Sequence, residues 1–392
     1  MESVVLAGAA RTPIGKFGGA FAATPATKLG AVAVHASIDR AGLTPDQIEY
    51  TIMGNALSAG VGQTPARQAA IEGGIPDTAS ALTINKACAS GMMSIVLAAQ
   101  AIKSGDAKVV VAGGMENMSL APHLLVNSRT GYRMGDVPIA DHMLRDGLWC
   151  PFEDRHMGSS AEAIAEKHHI SRQTQDAFAA RSHQRALSAA GEGAFAGEIV
   201  PVEVQTRKET VLVTKDEGPR AGTTAETLGG LRPAFPPGKT VTAGNSSQIS
   251  DGAASVVVLS ESWARELGVK SQARLTGYAH AAIDPAWLFD APTLAVRSLL
   301  EKTGTRLEDY DLIEVNEAFA AQALANGGEL GWDWTRVNVN VGAIALGHPI
   351  GASGARIVVT LLHALQTRRA QRGLAVICHA GGGAVALAVE AA

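Results

Sequence analysis

Cys88 stands in the run Asn85-Lys86-Ala87-Cys88-Ala89-Ser90-Gly91, at the head of an apolar stretch that continues to Lys103 and reads as a helix. The first turn of a helix leaves four backbone N–H groups unpaired and carries the positive end of the helix dipole. A thiolate placed there is stabilised, so the spacing predicts a lowered thiol pKa and a nucleophile near neutral pH. The small neighbours Ala87, Ala89 and Gly91 leave room for an acyl group. A buried structural cysteine is the commonest fate of a free thiol, and position alone leaves both readings open.

Three further groups bear on that choice. His348 lies in Gly347-His348-Pro349-Ile350-Gly351-Ala352-Ser353-Gly354, where Pro349 stiffens the backbone beside it and the glycines admit a ligand. A histidine fixed in a rigid turn suits polarising a carbonyl or assisting a thiolate; a structural loop histidine is the plainer alternative. Asn316 follows the apolar strand 312–315 in Asn316-Glu317-Ala318-Phe319-Ala320. That is the carboxyl-end junction at which open α/β sheets bind ligands, although its default role is a helix cap. Cys378 ends the last strand expected from the sequence and leads into His379-Ala380-Gly381-Gly382-Gly383. A thiol there could move a proton beside backbone N–H donors, or the glycines could form a plain tight turn.

These residues need elements to hold them. At 392 residues the chain is too long for one ordinary core, so two or three domains, or two halves of one layered body, are expected. Hydrophobic residues at 46% supply a large interior, and 43 glycines with only 4% aromatics suit helices packed closely on sheets. The net charge of −4 gives no reason to expect nucleic-acid binding; a bound polyanion would have to meet a local basic cluster. Three cysteines in an odd, sparse set describe no disulfide framework and no zinc site. The N-terminal run has the character of neither a signal nor a transit segment, and no window approaches the ~20 apolar residues of a membrane span. A soluble, cytoplasmic protein is expected.

Apolar runs at 4–7, 108–112, 255–259, 312–315 and 374–378 read as buried strands alternating with helices, which predicts an α/β layered fold. A helix over 28–41 is stopped by Gly42. The 88–103 helix is apolar nearly all round and should be buried on every side. From 119 to 248 the chain is richer in charged, Pro and Gly residues and reads as an insertion covering a site. It holds one helix opening at Ser159 with Glu162 as its capping box, and another over 172–190 stopped by Gly191. Val109-Val110-Val111-Ala112-Gly113-Gly114 echoes Ala375-Val376-Ile377-Cys378 and the glycines after it, each following a long helix, which suggests two similar halves.

Together these segments resemble the thiolase family along essentially the whole chain. The resemblance also rests on Ala10-Arg11-Thr12-Pro13-Ile14-Gly15-Lys16-Phe17, Gly113-Gly114-Met115-Glu116-Asn117-Met118-Ser119 and Asn338-Val339-Asn340, with Gly342 through Gly354. It implies the α/β thiolase fold, with two similar halves in a five-layer αβαβα core and an inserted loop domain. The halves would be 1–118 with 249–271, and 272–392, and the insertion 119–248. It further implies a reversible Claisen condensation of two acetyl-CoA to acetoacetyl-CoA plus CoA. Cys88 would be the acylated nucleophile, Cys378 the acid/base, and His348 the activator of Cys88. Asn316 would hold a water at the thioester oxygen, and the backbone of Cys88 and Ala380 would face the second oxyanion. Arg155-His156-Met157-Gly158 resembles the segment of short-chain members, in which Met157 fills the space of a longer acyl chain. Arg220 would meet the nucleotide end of coenzyme A, Ala243 and Ser247 its pantetheine arm with Phe235 nearby, and Ala318, Phe319 and Leu288 the acyl end. Coenzyme A is then substrate and product, no cofactor or metal is needed, and a homotetramer built from two dimers is expected.

The chain departs from the family pattern at Ala89, at Val341, at Leu288-Phe289 and at His379-Ala380, each replacing a smaller or different residue. Alanine accepts positive φ poorly, so Ala380 raises the question of whether its N–H is still well placed. Alternative readings are a degradative thiolase for longer 3-ketoacyl chains, a non-catalytic acyl-CoA binder, and a decarboxylating ketosynthase. The binder should lack a cysteine that is present here, and the ketosynthase should carry histidine where Cys378 stands. A simple Cys/His hydrolase would have no use for Cys378.

Overall fold

Along the strand Val109–Asn117, Val109 and Val111 enter one apolar cluster while Val110 and Ala112 enter another. Successive strand side chains face opposite ways, so this strand is buried on both faces, as an unbroken valine run requires. The computed structural model, which describes residues 2–392, extends that logic to the whole chain. The main strands are β1 Val4–Arg11, β2 Tyr50–Gly54, β3 Ser80–Ile84, β4 Val109–Asn117, β5 Ser250–Ser260, β6 Ala273–Ala282, β7 Leu312–Val315, β8 Arg372–His379 and β9 Gly383–Ala391. They lie in one mixed sheet in the order β3-β2-β4-β5-β1-β6-β9-β8-β7. The inserted stretch 119–248 adds no strand to it.

The order repeats itself. In the first half β4 runs parallel to β2 and antiparallel to β5, which is antiparallel to β1. In the second half β8 runs parallel to β7 and antiparallel to β9, which is antiparallel to β6. The echoed strands β4 and β8 therefore occupy equivalent places. Within the sheet the halves join where Val5 and Leu6 of β1 pair with Arg274 and Ala273 of β6.

The principal helices are α1 Ala26–Ala41, α2 Pro65–Glu72, α3 Ser90–Ser104, α4 Met157–Lys167, α5 Arg172–Gly191, α6 Ala291–Thr303, α7 Ala320–Leu330 and α8 Ile350–Arg368. α1 and α2 cover the outer face of the first half, with Leu29 and Ala69 against Val109 and Val257. α6 covers the outer face of the second half, with Leu299 against Leu374 and Val376. Between the two inner faces lie α3 and α8, whose Ile95 and Ile357 share a cluster with Val110, Val256, Ile377 and Val385. Helix, sheet, helix, sheet, helix gives the five layers.

The two central helices touch backbone to backbone. A Cβ on Gly91 would lie 2.7 Å from Ala355 N, and one on Gly354 would lie 2.5 Å from Met92 N. Only glycine permits that spacing, and it brings the first turns of α3 and α8 together. The sequence expectation is corrected at several points. β9 follows Cys378, so that residue stands at the end of the last strand but one. α3 begins at Ser90, so Cys88 sits in the preceding turn rather than in the helix. Its surface is not buried all round, because Met93 and Leu97 are half-buried and Lys103 is exposed. It is also the one helix among the described residues long and apolar enough by composition to cross a membrane, although 56% of that window is buried inside the fold. α4 begins at Met157, not Ser159, because His156 Nδ1 accepts from Gly158 N–H. Glu162 instead accepts from Thr240 and Val241 N–H across the insertion, so no capping box forms.

Gly354→Ala tests the central contact. Alanine would add about 1 kcal/mol of helix propensity, but overpacking against unyielding backbone costs about 1–3 kcal/mol or more. The urea midpoint should fall, and activity with it; a midpoint equal to or above that of the wild type would contradict the contact as described.

Candidate active site

The strained turn ahead of α3 presents Cys88. Ala87 adopts φ +45°, a conformation costly for a residue with a Cβ. Ser90 holds the turn in place, its Oγ accepting from Lys86 N–H at 2.8 Å and donating to Ala87 O at 2.6 Å. Cys88 is thereby half-buried, and its open side lines a cavity of about 440 Å³ that also receives His348 and Cys378. One thiol thus comes from the first half, and one thiol and one imidazole from the second.

His348 precedes α8 and is buried. Its Nδ1 lies 2.5 Å from Ser353 Oγ, and that hydroxyl donates to Pro349 O at 2.8 Å. Because the single hydroxyl hydrogen is used on Pro349, Ser353 must accept from His348 Nδ1–H. Nε2 then carries the lone pair, and it has no partner within the protein. Asn316 is fully buried and outside the cavity lining, with neither amide atom hydrogen-bonded. It caps no helix, since α7 begins only at Ala320. Leaving such groups unsatisfied costs about 1–3 kcal/mol each, so this amide is held ready for a polar partner.

Burial decides the protonation states. It pushes the Cys88 thiol up to about 12, against the pull of the N–H groups of Ala380 and of Cys88 itself, with Glu116 adding a smaller push upward. Burial also raises Cys378 well above the usual thiol range, with nearby Cys88 contributing. It lowers His348 to about 3, helped by Arg356. The expected helix-terminus depression of Cys88 is therefore corrected: desolvation outweighs the two donors, and the resting site holds two neutral thiols and a neutral imidazole. Both N–H groups act on the Cys88 sulfur, where the family resemblance expects them to face the second oxyanion. Ala380 needs no positive φ, because Gly381 at +87° and Gly382 at +86° make the turn. His379 turns its Nδ1 to Ala380 O and has no part in the shift of Cys378.

The residues expected to bind substrate converge here. Met157, Leu288 and Phe319 pack with Cys378 in one apolar cluster, joined by Phe235 and Ala380. His156 stacks on Phe235 at 4.7 Å between ring centroids, and Phe319 sets its edge to Phe289 at 5.4 Å. Arg220, Ala243, Ser247 and Ala318 line the same cavity. Arg220 Nη2 donates to Gln248 Oε1 at 3.0 Å. Of the sequence-derived site residues, only Asn316 stands outside the lining. Sequence reasoning missed Lys16, Phe17, Leu148, Gln248 and Ile350 as lining residues, although Lys16 and Phe17 lie within the opening motif. A larger, open groove of about 1170 Å³ lies beyond His156 and Phe235 and contains neither cysteine. Among the described residues no group of His, Cys, Asp and Glu side chains could hold a metal ion.

With burial controlling both thiols, ultraviolet titration should show no thiolate at neutral pH. A neutral-pH thiolate signal that disappears in Cys88→Ala would contradict this electrostatic picture.

Two family models cover the chain: the thiolase N-terminal domain matches residues 4–262 and the thiolase C-terminal domain residues 269–391. An acetyl-CoA acetyltransferase of Thiocystis violacea is 53% identical over 390 residues, 99% of each chain. One of Escherichia coli K12 is 51% identical over 391 residues, covering 100% of this chain and 99% of the other. The crystal structure of the Bacillus anthracis acetyl-CoA acetyltransferase superposes with a TM-score of 0.98 at 43% identity, over 100% of this chain and 99% of that one. With both halves matched, the fold shared and the two cysteines and histidine in one cavity, this chain belongs to the thiolase family.

Proposed function

We propose that the protein is an acetyl-CoA C-acetyltransferase, condensing two acetyl-CoA reversibly to acetoacetyl-CoA and CoA through an acetyl-Cys88 intermediate. The observation that carries this reading is the single cavity holding Cys88, Cys378 and the lone-pair nitrogen of His348. The relatives at half identity or more over their full length support the same reaction.

His348 Nε2 takes the Cys88 proton as the sulfur attacks the acetyl carbonyl. The resulting Nε2–H and a water held by Asn316 then serve the thioester oxygen, and CoA leaves as a thiol with the proton of Cys378, which becomes a thiolate. Cys378 next removes a methyl proton from the second acetyl-CoA, and the carbanion attacks acetyl-Cys88. The N–H groups of Cys88 and Ala380 receive the oxyanion, and the Cys88 sulfur departs, taking back its proton from His348 Nε2–H. A thiol whose pKa is raised by burial gives a strongly basic thiolate, which suits a weakly acidic methyl group. Two cysteines are needed because one is occupied as a thioester while the other moves the proton.

Met157, Leu288 and Phe289 close the apolar end of the cavity, which favours a short acyl chain over the longer-chain alternative. The halves and the loop domain at 119–248 are the proposed domains, supported by the division of the family match near residue 265. Coenzyme A acts as substrate and product with no cofactor. A homotetramer is supported by exposed apolar side chains of the insertion, among them Met134, Ile139 and Phe152. Three free cysteines agree with a cytoplasmic setting.

Thiolysis of acetoacetyl-CoA, followed by loss of its enolate absorbance, tests the reading. Wild-type protein should turn over rapidly, favour acetoacetyl-CoA over longer 3-ketoacyl chains, and lose activity in Cys88→Ala. Asn316→Ala should lower kcat by roughly 10²–10³. No wild-type turnover, or a preference for long chains, would overturn the assignment.

A further inference from the structure

Glu116 is fully buried at the end of β4, yet its carboxylate accepts four hydrogen bonds. The donors are Asn55 Nδ2 at 2.7 Å, Ala56 N at 3.0 Å, Leu57 N at 3.1 Å and Gly351 N at 2.8 Å. Four N–H donors match the lone-pair sites of an ionised carboxylate. A protonated carboxyl, or an amide, would set a hydrogen against one of them. Burial nevertheless pushes its pKa up to about 7. The ionised form is thus maintained against its surroundings, where an apolar side chain would be easier to bury.

The sheet register shows what this place corresponds to. Gly54 of β2 pairs with Gly114 of β4, as Val315 of β7 pairs with Val376 of β8. One residue beyond the first of each pair stand Asn55 and Asn316; two beyond the second stand Glu116 and Cys378. Glu116 therefore occupies in the first half the place that Cys378 holds in the second. In the second half Cys378, one strand over from Asn316, faces Cys88 in the turn ahead of α3. In the first half the Asn–Glu pair meets the first turn of α8, directly after His348. One arrangement is used twice, once open to the cavity and once closed by hydrogen bonds.

We infer that Glu116 is a positioning residue for the reaction: it ties the first turn of α8 to the nucleophile's half, fixing His348 against Cys88. The inference rests on the acyl-transfer reading above. The ionisable groups facing Glu116 are Asp251 on β5 and Cys88 ahead of α3. α8 presents the Gly351 N–H, and the 55–57 loop presents backbone N–H groups and the Asn55 amide. The two pH dependences have opposite signs. Because its folded pKa lies above the ordinary carboxylate value, the stability that Glu116 contributes is full below that value and is lost as pH rises through about 7. Positioning needs the carboxylate, so kcat should fall as pH drops through the same range. A merely structural role would give only the first.

The experiment measures kcat, KM and the rate of Cys88 alkylation by iodoacetamide across pH. It compares the wild type with Glu116→Gln, Glu116→Asp and Asn55→Ala. Glu116→Gln should lower kcat about 100-fold with KM little changed and slow the alkylation, and Glu116→Asp should restore part of both. Asn55→Ala removes a donor that favours the ionised form, so the acid limb of kcat should move to higher pH. A folded Glu116→Gln with kcat within about twofold of wild type would overturn the inference, as would an acid limb unmoved by Asn55→Ala. Should Glu116→Gln fail to fold, the Asn55→Ala profile decides alone. Alkylation slowed in Glu116→Gln while wild type lacks thiolysis would refute the acyl-transfer reading and leave the positioning intact.

Discussion

Two helices sharing one layer, pressed together until their backbones touch, set the rest of this structure. The Gly91 and Gly354 contacts allow no side chain between α3 and α8. The turns that open those helices are consequently forced into each other's company, and the turns carry Cys88 and His348. The two halves of the sheet are then spaced by a single helical layer, so the end of β8 brings Cys378 to the same cavity, with Asn316 after β7 buried outside its lining. The catalytic group is assembled by the core packing of the halves, and the insertion closes over it.

That origin also explains the electrostatics. A site at the junction of two cores is necessarily desolvated, and desolvation governs both thiols and the imidazole more strongly than nearby dipoles do. The resting site is consequently neutral. In the proposed reaction charge appears only with substrate, as a transferred proton or an oxyanion, and the unpaired Nε2 of His348 and amide of Asn316 would serve it then. The orientation of His348 is fixed from behind by Ser353 and Pro349, so its tautomer does not depend on substrate.

Much of this was legible in the chain because glycine density reports close contact. Gly347 through Gly354 marked the His348 turn, and the valine runs marked strands buried on both faces. The protonation of Cys88 was not legible, since a sequence shows the helix start but not the walls that desolvate it. The beginning of α4 was misread because Glu162 finds partners at Thr240 and Val241, far away in sequence. Glu116 and Ser353 were visible within motifs without an apparent task, their partners being supplied by the opposite half and by a neighbouring imidazole. Ala380 looked unfavourable from its residue type, and the backbone shows that its two following glycines make the turn instead.

The central claim is that the acyl group passes through Cys88 alone among three free cysteines. Mass mapping of peptides after mixing the protein with acetyl-CoA and quenching in acid tests it most directly. The account predicts an acid-stable acetyl thioester on the peptide containing Cys88 and none on those containing Cys150 or Cys378. Acetylation of Cys378 with Cys88 unmodified would contradict it.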